Sequence, residues 1–264
     1  MLSLETISKV LYERFFADWK DMSKEDFLDF VRSKSEQALT YEELAKKLES
    51  KKKLKIKFGI DPTGPDVHMG HVLPLLLLRQ FQKAGHEVNL IIGDFTARIG
   101  DPSHRSSVRP ALSEKGVKEN MKTYLAQIGR FFNVKKAKVY HNAAWLKKLD
   151  LSTLLQDFQK LSLTEILQRD DFRKRMEAGQ GITLAELLYS YAQGMDSVQI
   201  NPDVEIGGND QYLNFAHARV IMRNYSQDPE VGLVTPVLEG TTGDGRKMSK
   251  SYNNYIAVSA SPEN

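Results

Sequence analysis

Residues 54–94 carry the pattern that most restricts the fold of this 264-residue chain. The stretch "KLKIKFGI" alternates polar and apolar residues as a strand does, and "EVNLIIGD" reads as a buried strand. Between them, the turn cluster "DPTGPD" precedes "HVLPLLLLRQFQKAG", a predicted helix that accepts Pro74 in its first turn and stops at Gly85. Apolar strands on either side of a helix predict a parallel sheet covered on both faces.

The rest of the chain continues this alternation of strands and helices. Further strands are predicted at "AKVYHN", "PDVEIGG" and "GLVTPVL", with helices over residues 115–132, 151–176, 183–196 and 210–225. The first 50 residues are predicted to be helical, with Ser23 and Thr40 as N-caps. The fold class is therefore α/β, a doubly wound parallel sheet of the Rossmann-like kind, whose ligands bind beyond the carboxyl ends of the strands.

Composition narrows the classes of function. The sequence has no cysteine, which excludes disulfides and cysteine-based metal sites and fits a reducing cytoplasm. Its longest apolar run, "VLPLLLL", is far shorter than the ~20 residues that span a bilayer. The first residues, "MLSLETISKVLYERFF", carry acids and lack the apolar core of a signal peptide. We therefore expect a cytoplasmic protein without a membrane partner, and the formal net charge of +3 identifies no further partner.

The turn after the first of these strands, "GIDPTGPDVHMGH", lies at the carboxyl end of the sheet and opens a helix. Helix N-termini present unpaired N–H groups that attract anions. His68 and His71 share one face of the first turn, and Gly70 leaves the backbone open to a flat ring. Three interpretations stay open for this stretch alone: surface histidines, a weakly indicated metal site, and a nucleotide-phosphate site without a Walker A or G-x-G-x-x-G signature.

The stretch "KMSKS", Lys247 to Ser251, follows the glycine-rich run "GTTGDGR". The glycines favour a mobile loop. Lys247 and Lys250 are three residues apart and suit a contact to phosphate groups. By itself, the pattern is equally typical of a solvated basic segment.

A stripe of polar residues runs along the predicted helix 183–196. Tyr189, Gln193 and Asp196 are spaced i, i+4 and i+7, so they fall within one narrow sector of the helix surface. Such a stripe indicates either a lined pocket or a partly buried contact between helices.

Together, "HMGH" and "KMSKS" resemble, in this order and on an α/β plan, the two signature motifs of class I aminoacyl-tRNA synthetases. The stretches "GDFTARIGDPSHRSSVRP", "LLYSYAQGMDS" and "GGNDQ" resemble the catalytic domain of bacterial tyrosyl-tRNA synthetases, and the resemblance runs from about residue 35 to the end. It implies activation of L-tyrosine with ATP, followed by transfer to tRNA(Tyr).

The resemblance also implies a binding site for tyrosine. Asp196 would accept a hydrogen bond from the phenol, and Tyr189, Gln193 and Asp101 would hold the α-ammonium. Three more residues complete this predicted site, namely Lys57, Thr96 and Gln211.

A nucleotide site is implied in the same way. His68 and the helix N-terminus would meet the phosphates, His71 and Gly70 would lie nearer the ribose and adenine, and Asp210 would bind the ribose hydroxyls. Lys247 and Lys250 would close over the pyrophosphate, assisted by Arg105 and Arg109 from another loop. The remaining predicted contacts to ATP are Gly59, Asp61, Thr63, Gly208 and Met248. Mg²⁺ is expected to arrive with ATP and to bind through its phosphates, with no metal site of the protein itself.

The sequence departs from the pattern of this family at four positions. Lys57 stands where many members carry a tyrosine, although a subgroup carries lysine there. His104 replaces a glycine, Asn209 replaces serine or threonine, and Met195 stands where an aromatic residue is common.

The resemblance implies a domain plan and partners. We expect an N-terminal helical segment over 1–50, a catalytic domain over 51–240 with a helical insertion at about 115–190 that forms a homodimer interface, and the "KMSKS" loop with a truncated end over 241–264. The anticodon-binding region of the family is not part of the sequence, so binding of tRNA(Tyr) is expected to be weakened.

Three alternatives are weighed against this function. A tryptophan-specific class I synthetase shares both motifs but is disfavoured by the pattern of Tyr189, Gln193 and Asp196. A small-molecule adenylyltransferase usually lacks "KMSKS" with "GGNDQ". A non-catalytic RNA-binding relative is disfavoured by the intact histidines and lysines of the two motifs.

Overall fold

The chain is described from a computed structural model that covers residues 22–102, 112–168 and 170–261. His104, Arg105 and Arg109 lie outside these residues, as does the part of the predicted N-terminal helical segment before residue 22. No helix among the described residues is long and apolar enough to cross a membrane.

The described residues form a six-stranded sheet. In chain order its strands are β1 Gln37–Leu39, β2 Lys55–Ile60, β3 Glu87–Ile92, β4 Lys138–His141, β5 Val204–Gly208 and β6 Val231–Thr235. Their order across the sheet is β1-β6-β5-β2-β3-β4. Strands β2 to β6 pair in parallel, whereas β1 pairs antiparallel with β6 at the edge. The prediction of a parallel sheet is therefore confirmed for five strands and missed the short antiparallel edge strand.

Helices connect the strands. They are α1 Lys24–Lys34, α2 Tyr41–Ser50, α3 Val72–Lys83, α4 Thr96–Ile99, α5 Glu114–Ile128, α6 Ala143–Leu146, α7 Leu151–Phe158, α8 Leu163–Leu167, α9 Asp170–Glu177, α10 Leu184–Leu187, α11 Tyr189–Ile200 and α12 Tyr212–Asn224. Ser23 and Thr40 cap α1 and α2 through their side chains, and α3 ends just before Gly85, which has a φ of 91°. These caps and this stop confirm the sequence prediction.

Two of the predicted helices are interrupted. The region 151–176 was predicted as one helix but forms α7, α8 and the first part of α9, because Ser162 starts a new helix by accepting a hydrogen bond from the Glu165 N–H. The region 183–196 divides at Leu188 into α10 and α11. The polar stripe lies wholly on α11, which continues to Ile200.

Both faces of the sheet are covered by helices. On one face, alternate strand residues such as Ile56, Leu90 and Ile206 join the main apolar core with residues of α1, α2, α3 and α5. On the other face, α11 and α12 pack against each other and against the sheet. Gly207 and Gly232 admit the ring of Phe215 there, since a Cβ at either glycine would lie within 3 Å of it. This arrangement confirms the doubly wound plan.

The strand order places a topological switch between β2 and β5. From β2 the chain proceeds outward through β3 and β4, and then crosses to β5 and β6 on the other side. Ligands of open α/β sheets bind at such a switch, beyond the carboxyl ends of the strands. The range 115–190, predicted as a helical insertion, contains β4 and also α5, whose Tyr124 and Ile128 belong to the main core. The predicted domain bounds and the dimer interface stay predictions.

Candidate active site

A cavity of about 630 Å³ opens at the carboxyl ends of β2 and β5. All predicted site residues that the structure describes lie on its wall, which leaves out only Arg105 and Arg109. Lys57 and Lys250, which are 193 positions apart in the sequence, therefore share one site. The individual roles proposed for them stay predictions.

The turn after β2 is shaped by its two histidines. The His68 Nδ1 accepts a hydrogen bond of 3.2 Å from the Gly70 N–H and thereby caps the 3-10 turn Met69–His71. The neutral His68 ring consequently carries its proton on Nε2, where it is available as a donor. The two imidazole rings lie 3.9 Å apart between centroids.

Both histidines are neutral at neutral pH. Burial, together with the charges of Lys250 and Lys247, lowers the pKa of His68 to about 4. Burial and the neighbouring His68 lower the pKa of His71 well below its usual value. At this end of the cavity the lysines therefore supply the positive charge, while His68 contributes a neutral N–H donor.

Gly70 has a role that the sequence did not indicate. A Cβ at this position would lie 2.9 Å from the Cε1 and Nδ1 atoms of His68. The missing side chain thus makes room for the capping ring, in addition to any ligand that approaches the backbone.

The lysines of "KMSKS" face the same cavity. The Lys247 ammonium pairs with Asp210 Oδ2 at 2.9 Å. Lys250 Nζ donates to the Tyr124 hydroxyl at 2.6 Å and to the Asp66 carbonyl at 3.0 Å. Burial disfavours the charge of Lys247, but Asp210 and Asp101 outweigh burial and raise its pKa, so Lys247 is charged at neutral pH.

The chain beyond this motif packs on the histidine turn. The Met69 N–H donates to the Ile256 carbonyl at 2.9 Å, and the Val258 N–H donates to the Val67 carbonyl at 2.9 Å. The Tyr255 hydroxyl donates to Asp66 at 3.1 Å. These contacts hold the two motifs side by side.

The opposite end of the cavity is built around Asp196 on α11. Its carboxylate accepts hydrogen bonds from Trp145 Nε1 at 2.8 Å and from Asn142 Nδ2 at 3.2 Å. Burial raises the pKa of Asp196 to about 7, although the charge of Lys57 and these two hydrogen bonds oppose the shift. Both the ionised and the protonated form of Asp196 are therefore populated near neutral pH.

Asn142 and Trp145 are site residues that the sequence analysis missed. Asn142 follows β4 directly, at the same sheet edge as the other polar residues, and this position is the signal that indicates it. Trp145 lies on the short helix α6 and has no comparable signal.

A chain of hydrogen bonds joins Asp196 to Asp61. The Asn142 amide donates to Thr96 Oγ1 at 3.0 Å, and the Thr96 hydroxyl donates to Asp61 Oδ1 at 2.7 Å. The Tyr189 hydroxyl donates to Asp61 Oδ2 at 3.0 Å. Asp61, which was predicted as a contact to ATP, is thus bonded to two residues of the predicted tyrosine site.

Further polar groups line the middle of the cavity. Gln211 Nε2 donates to Asp101 Oδ2 at 2.6 Å. The Gln193 amide nitrogen donates to Glu205 at 3.2 Å, and its buried Oε1 atom has no hydrogen-bond partner among the described residues. An unsatisfied buried acceptor is costly, so Gln193 is suited to a ligand that donates, such as an ammonium group.

Gly93, at the end of β3, allows the chain from Asp196 to Asp61 to form. A Cβ at this position would overlap Asp61 Oδ1 and Thr96 Oγ1. We expect Gly93→Ala to lower the free energy of unfolding by ~1–3 kcal/mol, because the overlap displaces both side chains. Urea denaturation measures the change. Gly181→Ala is the control, since a Cβ there meets nothing within 4 Å, and equal stability of the two variants would contradict the prediction.

Comparisons with known proteins identify the family of this chain. The sequence model of the family described as tRNA synthetases class I (W and Y) matches residues 19–264. The tyrosine–tRNA ligase of Aquifex aeolicus is 45% identical over 242 residues, which cover 92% of this chain and 62% of the relative. The tyrosine–tRNA ligase of Thermotoga maritima is 43% identical, with 92% of this chain and 60% of the relative covered.

Solved structures show the same fold. A C-terminally truncated mitochondrial tyrosyl-tRNA synthetase from Aspergillus nidulans superposes with a TM-score of 0.72 at 25% identity, covering 93% of this chain and 78% of that one. A tyrosyl-tRNA synthetase from Archaeoglobus fulgidus, complexed with L-tyrosine, superposes with a TM-score of 0.73 at 23% identity, covering 92% and 73%.

The chain spans 62% and 60% of the lengths of the two curated relatives. The family match nevertheless extends over nearly all of it and includes the histidine turn, α11 and the "KMSKS" segment. On this match, together with the fold and the cavity, the chain belongs to the class I tRNA synthetases of the tryptophan and tyrosine group.

Proposed function

We propose that this chain activates L-tyrosine with ATP, forming tyrosyl-adenylate and pyrophosphate, for transfer to tRNA(Tyr) in the cytoplasm. One observation carries the proposal: a single cavity has a buried carboxyl group, Asp196, at one end and the lysines and neutral histidines of the two motifs at the other. That both curated relatives are tyrosine–tRNA ligases supports tyrosine rather than tryptophan.

The reaction needs no nucleophile from the enzyme. The carboxylate of free tyrosine is ionised at neutral pH and attacks the α-phosphorus of ATP directly. One bond forms between the carboxylate oxygen and phosphorus, the bond from phosphorus to the pyrophosphate oxygen breaks, and pyrophosphate leaves with the electron pair. The chain therefore contributes position and electrostatic stabilisation.

At the phosphate end, binding of ATP is proposed to exchange partners that are already in place. Lys247 moves from Asp210 to the pyrophosphate oxygens, which releases Asp210 to accept hydrogen bonds from the ribose hydroxyls. Lys250 moves from the Tyr124 hydroxyl to the same phosphates, and His68 donates from Nε2. Mg²⁺ is proposed to enter with ATP, held chiefly by the phosphate oxygens.

At the other end, the phenol hydroxyl of tyrosine is proposed to donate to Asp196. This hydrogen bond is stronger to the ionised carboxylate than to the protonated form, and burial has raised the pKa of Asp196 to about 7. Gln193 Oε1 is buried without a partner among the described residues and is proposed to accept from the α-ammonium, next to Tyr189.

Amino-acid-dependent exchange of pyrophosphate into ATP, run with a panel of amino acids, tests the proposal. We expect exchange with tyrosine to be much faster than with any other amino acid of the panel. Exchange with tryptophan would indicate the other specificity of this family, and exchange with no amino acid would indicate a non-catalytic relative or a different adenylyltransferase. Transfer is tested separately by incorporation of tyrosine into tRNA(Tyr).

A homodimer is also part of the proposal. Apolar side chains on the helices after β4 are exposed to solvent, among them Leu151 at 71%, Leu155 at 56% and Leu184 at 78%. Leu154 and Phe158, on the same helix α7, pack inward on a second apolar cluster. Helix α7 is therefore apolar on two sides, as helices at subunit interfaces are. We propose that a second copy of the chain packs against its exposed apolar side.

We expect Leu155→Glu to convert the dimer into monomers, because it places a charge in the apolar contact. Sedimentation equilibrium measures the mass in solution. Gln156→Glu, an exposed polar residue of the same helix, is the control and is expected to stay dimeric. A wild-type chain that is monomeric at high concentration would contradict this part of the proposal.

A further inference from the structure

Three ionisable side chains are buried in the sheet beneath Asp196. Lys57 on β2, Glu205 on β5 and Glu230 just before β6 are exposed by 0%, 1% and 0%. Charges that are removed from water in this way must be paired or neutralised. We call these three residues the buried network.

Three neighbouring groups hold the Lys57 ammonium in place. The ammonium group donates to Ser197 Oγ at 2.7 Å and to the Gln193 carbonyl at 3.3 Å, and it pairs with Glu205 Oε1 at 2.9 Å. Two of its three N–H donors are thus engaged in hydrogen bonds, and its charge is paired with Glu205. Lys57 therefore places a positive charge, paired within the sheet, at the wall of the cavity.

The two glutamates each have one oxygen that no donor reaches. Oε1 of Glu205 pairs with the Lys57 ammonium and accepts from Gln193, and Oε1 of Glu230 accepts from Ser197 at 2.8 Å. The Oε2 atoms of both are buried without a hydrogen-bond partner among the described residues. Val204 pairs with Val231 across the sheet, so Glu205 and Glu230, which flank this pair, lie on neighbouring segments. One proton on Glu230, directed at Glu205, satisfies both carboxyl groups at once.

We propose that Glu230 carries a proton at neutral pH and shares it with Glu205, and that Lys57 is a positioning residue whose charge favours the ionised form of Asp196, to which the phenol of tyrosine donates. The second half of this inference rests on the proposed function. With the shared proton the buried network has no net charge. Without it, the network would carry one negative charge below Asp196 and would favour the protonated form of that carboxyl.

The charges around Asp196 agree with this proposal. Lys57 donates to Ser197, the residue after Asp196 on α11, and pairs with Glu205. Asn142 and Trp145 donate to Asp196 itself from the segment after β4. Burial and the neighbouring Glu205 raise the pKa of Glu230 well above its usual range. Because the pKa of Asp196 is about 7, a small change in this surrounding charge decides whether Asp196 is ionised.

Infrared spectroscopy tests the shared proton without any ligand. The difference spectrum between wild type and Glu230→Gln at pH 8 is expected to contain the C=O stretching band of a protonated carboxyl group, lost in the variant. Glu42→Gln, at an exposed glutamate of α2, is the control and is expected to lose only carboxylate bands. A Glu230→Gln spectrum that loses only carboxylate bands would overturn the proposal.

The pH dependence of L-tyrosine affinity tests the role of Lys57. In the wild type, affinity is expected to rise with a midpoint near pH 7 as Asp196 ionises. In Lys57→Met the midpoint is expected to move up by ~1 unit or more, which lowers affinity at pH 7 about fivefold. Lys55→Met, which removes an exposed lysine of the same strand, is expected to leave the midpoint in place.

The variant Glu230→Gln tests whether Glu230 is neutral or ionised in the wild type. Glu230 does not line the described cavity, and glutamine is a neutral side chain that donates to Glu205 as the shared proton does. The midpoint is therefore expected to move by less than about 0.3 unit. A downward movement of ~1 unit or more would mean that the substitution removed a negative charge, and it would overturn the proposal.

Failure of the proposed function would be recognised separately. A wild-type chain that binds no tyrosine contradicts tyrosine activation. The infrared band of Asp196, assigned by its loss in Asp196→Asn, still reports the pH at which Asp196 ionises. A midpoint of that band that is the same in wild type and Lys57→Met would overturn the role of Lys57.

Discussion

Lys247→Ala is expected to slow formation of tyrosyl-adenylate by about 100- to 1000-fold, the size of effect seen when one group aimed at developing charge is removed. The Lys247 ammonium is charged at neutral pH and lies on the wall of the cavity. Negative charge develops on the pyrophosphate as it leaves. A fixed cation therefore stabilises the transition state more than it stabilises the bound ground state.

Tyrosine affinity is expected to change little in the same variant. Lys247 pairs with Asp210, whereas the phenol and ammonium of tyrosine are assigned to residues at the other end of the cavity. A rapid-quench measurement of adenylate formation in a single turnover, combined with equilibrium binding of L-tyrosine, separates the two effects. An unchanged rate constant with weakened tyrosine binding would contradict the assignment.

Two further variants make the test of Lys247 specific. Lys247→Arg keeps the charge and is expected to recover part of the rate, although its planar guanidinium group cannot reproduce the geometry of an ammonium. Lys135→Ala removes an exposed lysine outside the cavity and is expected to react like the wild type.

The sequence predicted those parts of the fold that follow from local pattern. Strand β2 was predicted from the alternation in "KLKIKFGI", and β3 from the apolar run in "EVNLIIGD". Helix α3 was predicted from Pro74 in its first turn and Gly85 after its end. The spacing of Tyr189, Gln193 and Asp196 was sufficient to place them on one side of one helix, because the spacing itself fixes the sector they occupy.

Features that depend on residues far apart in the sequence could not be predicted from local patterns. Strand β1 has three residues, all half-buried, and is defined by its pairing with β6. Trp145 and Asn142 bond to Asp196 only because β4 lies beside β3 in the sheet. The placement of Glu205 and Glu230 on neighbouring segments likewise depends on β5 pairing with β6, and the spacing of residues within one strand does not indicate which strands pair.

Asp196→Asn is expected to lower the preference for tyrosine over phenylalanine by about 10- to 150-fold, which corresponds to the ~1.5–3 kcal/mol of a hydrogen bond to a charged group. The loss is expected in kcat/KM for tyrosine, while kcat/KM for phenylalanine stays nearly constant. Asparagine has one oxygen in place of two, so it cannot accept from Trp145, Asn142 and a phenol as the carboxylate does. Pyrophosphate exchange with each amino acid measures the ratio.

The matched control for Asp196 is Asp157→Asn. Asp157 is also buried and accepts from two hydroxyl groups, those of Tyr191 at 2.6 Å and Tyr225 at 2.7 Å, but it lies outside the cavity. This control is expected to lower stability and to leave the preference for tyrosine over phenylalanine unchanged.

Between pH 8 and pH 6 the preference of the wild type for tyrosine over phenylalanine is expected to fall, because Asp196 becomes protonated below its pKa of about 7. The preference of Asp196→Asn is expected to stay constant over the same range. Equal ratios for wild type and Asp196→Asn at pH 8 would mean that the phenol is recognised elsewhere in the cavity.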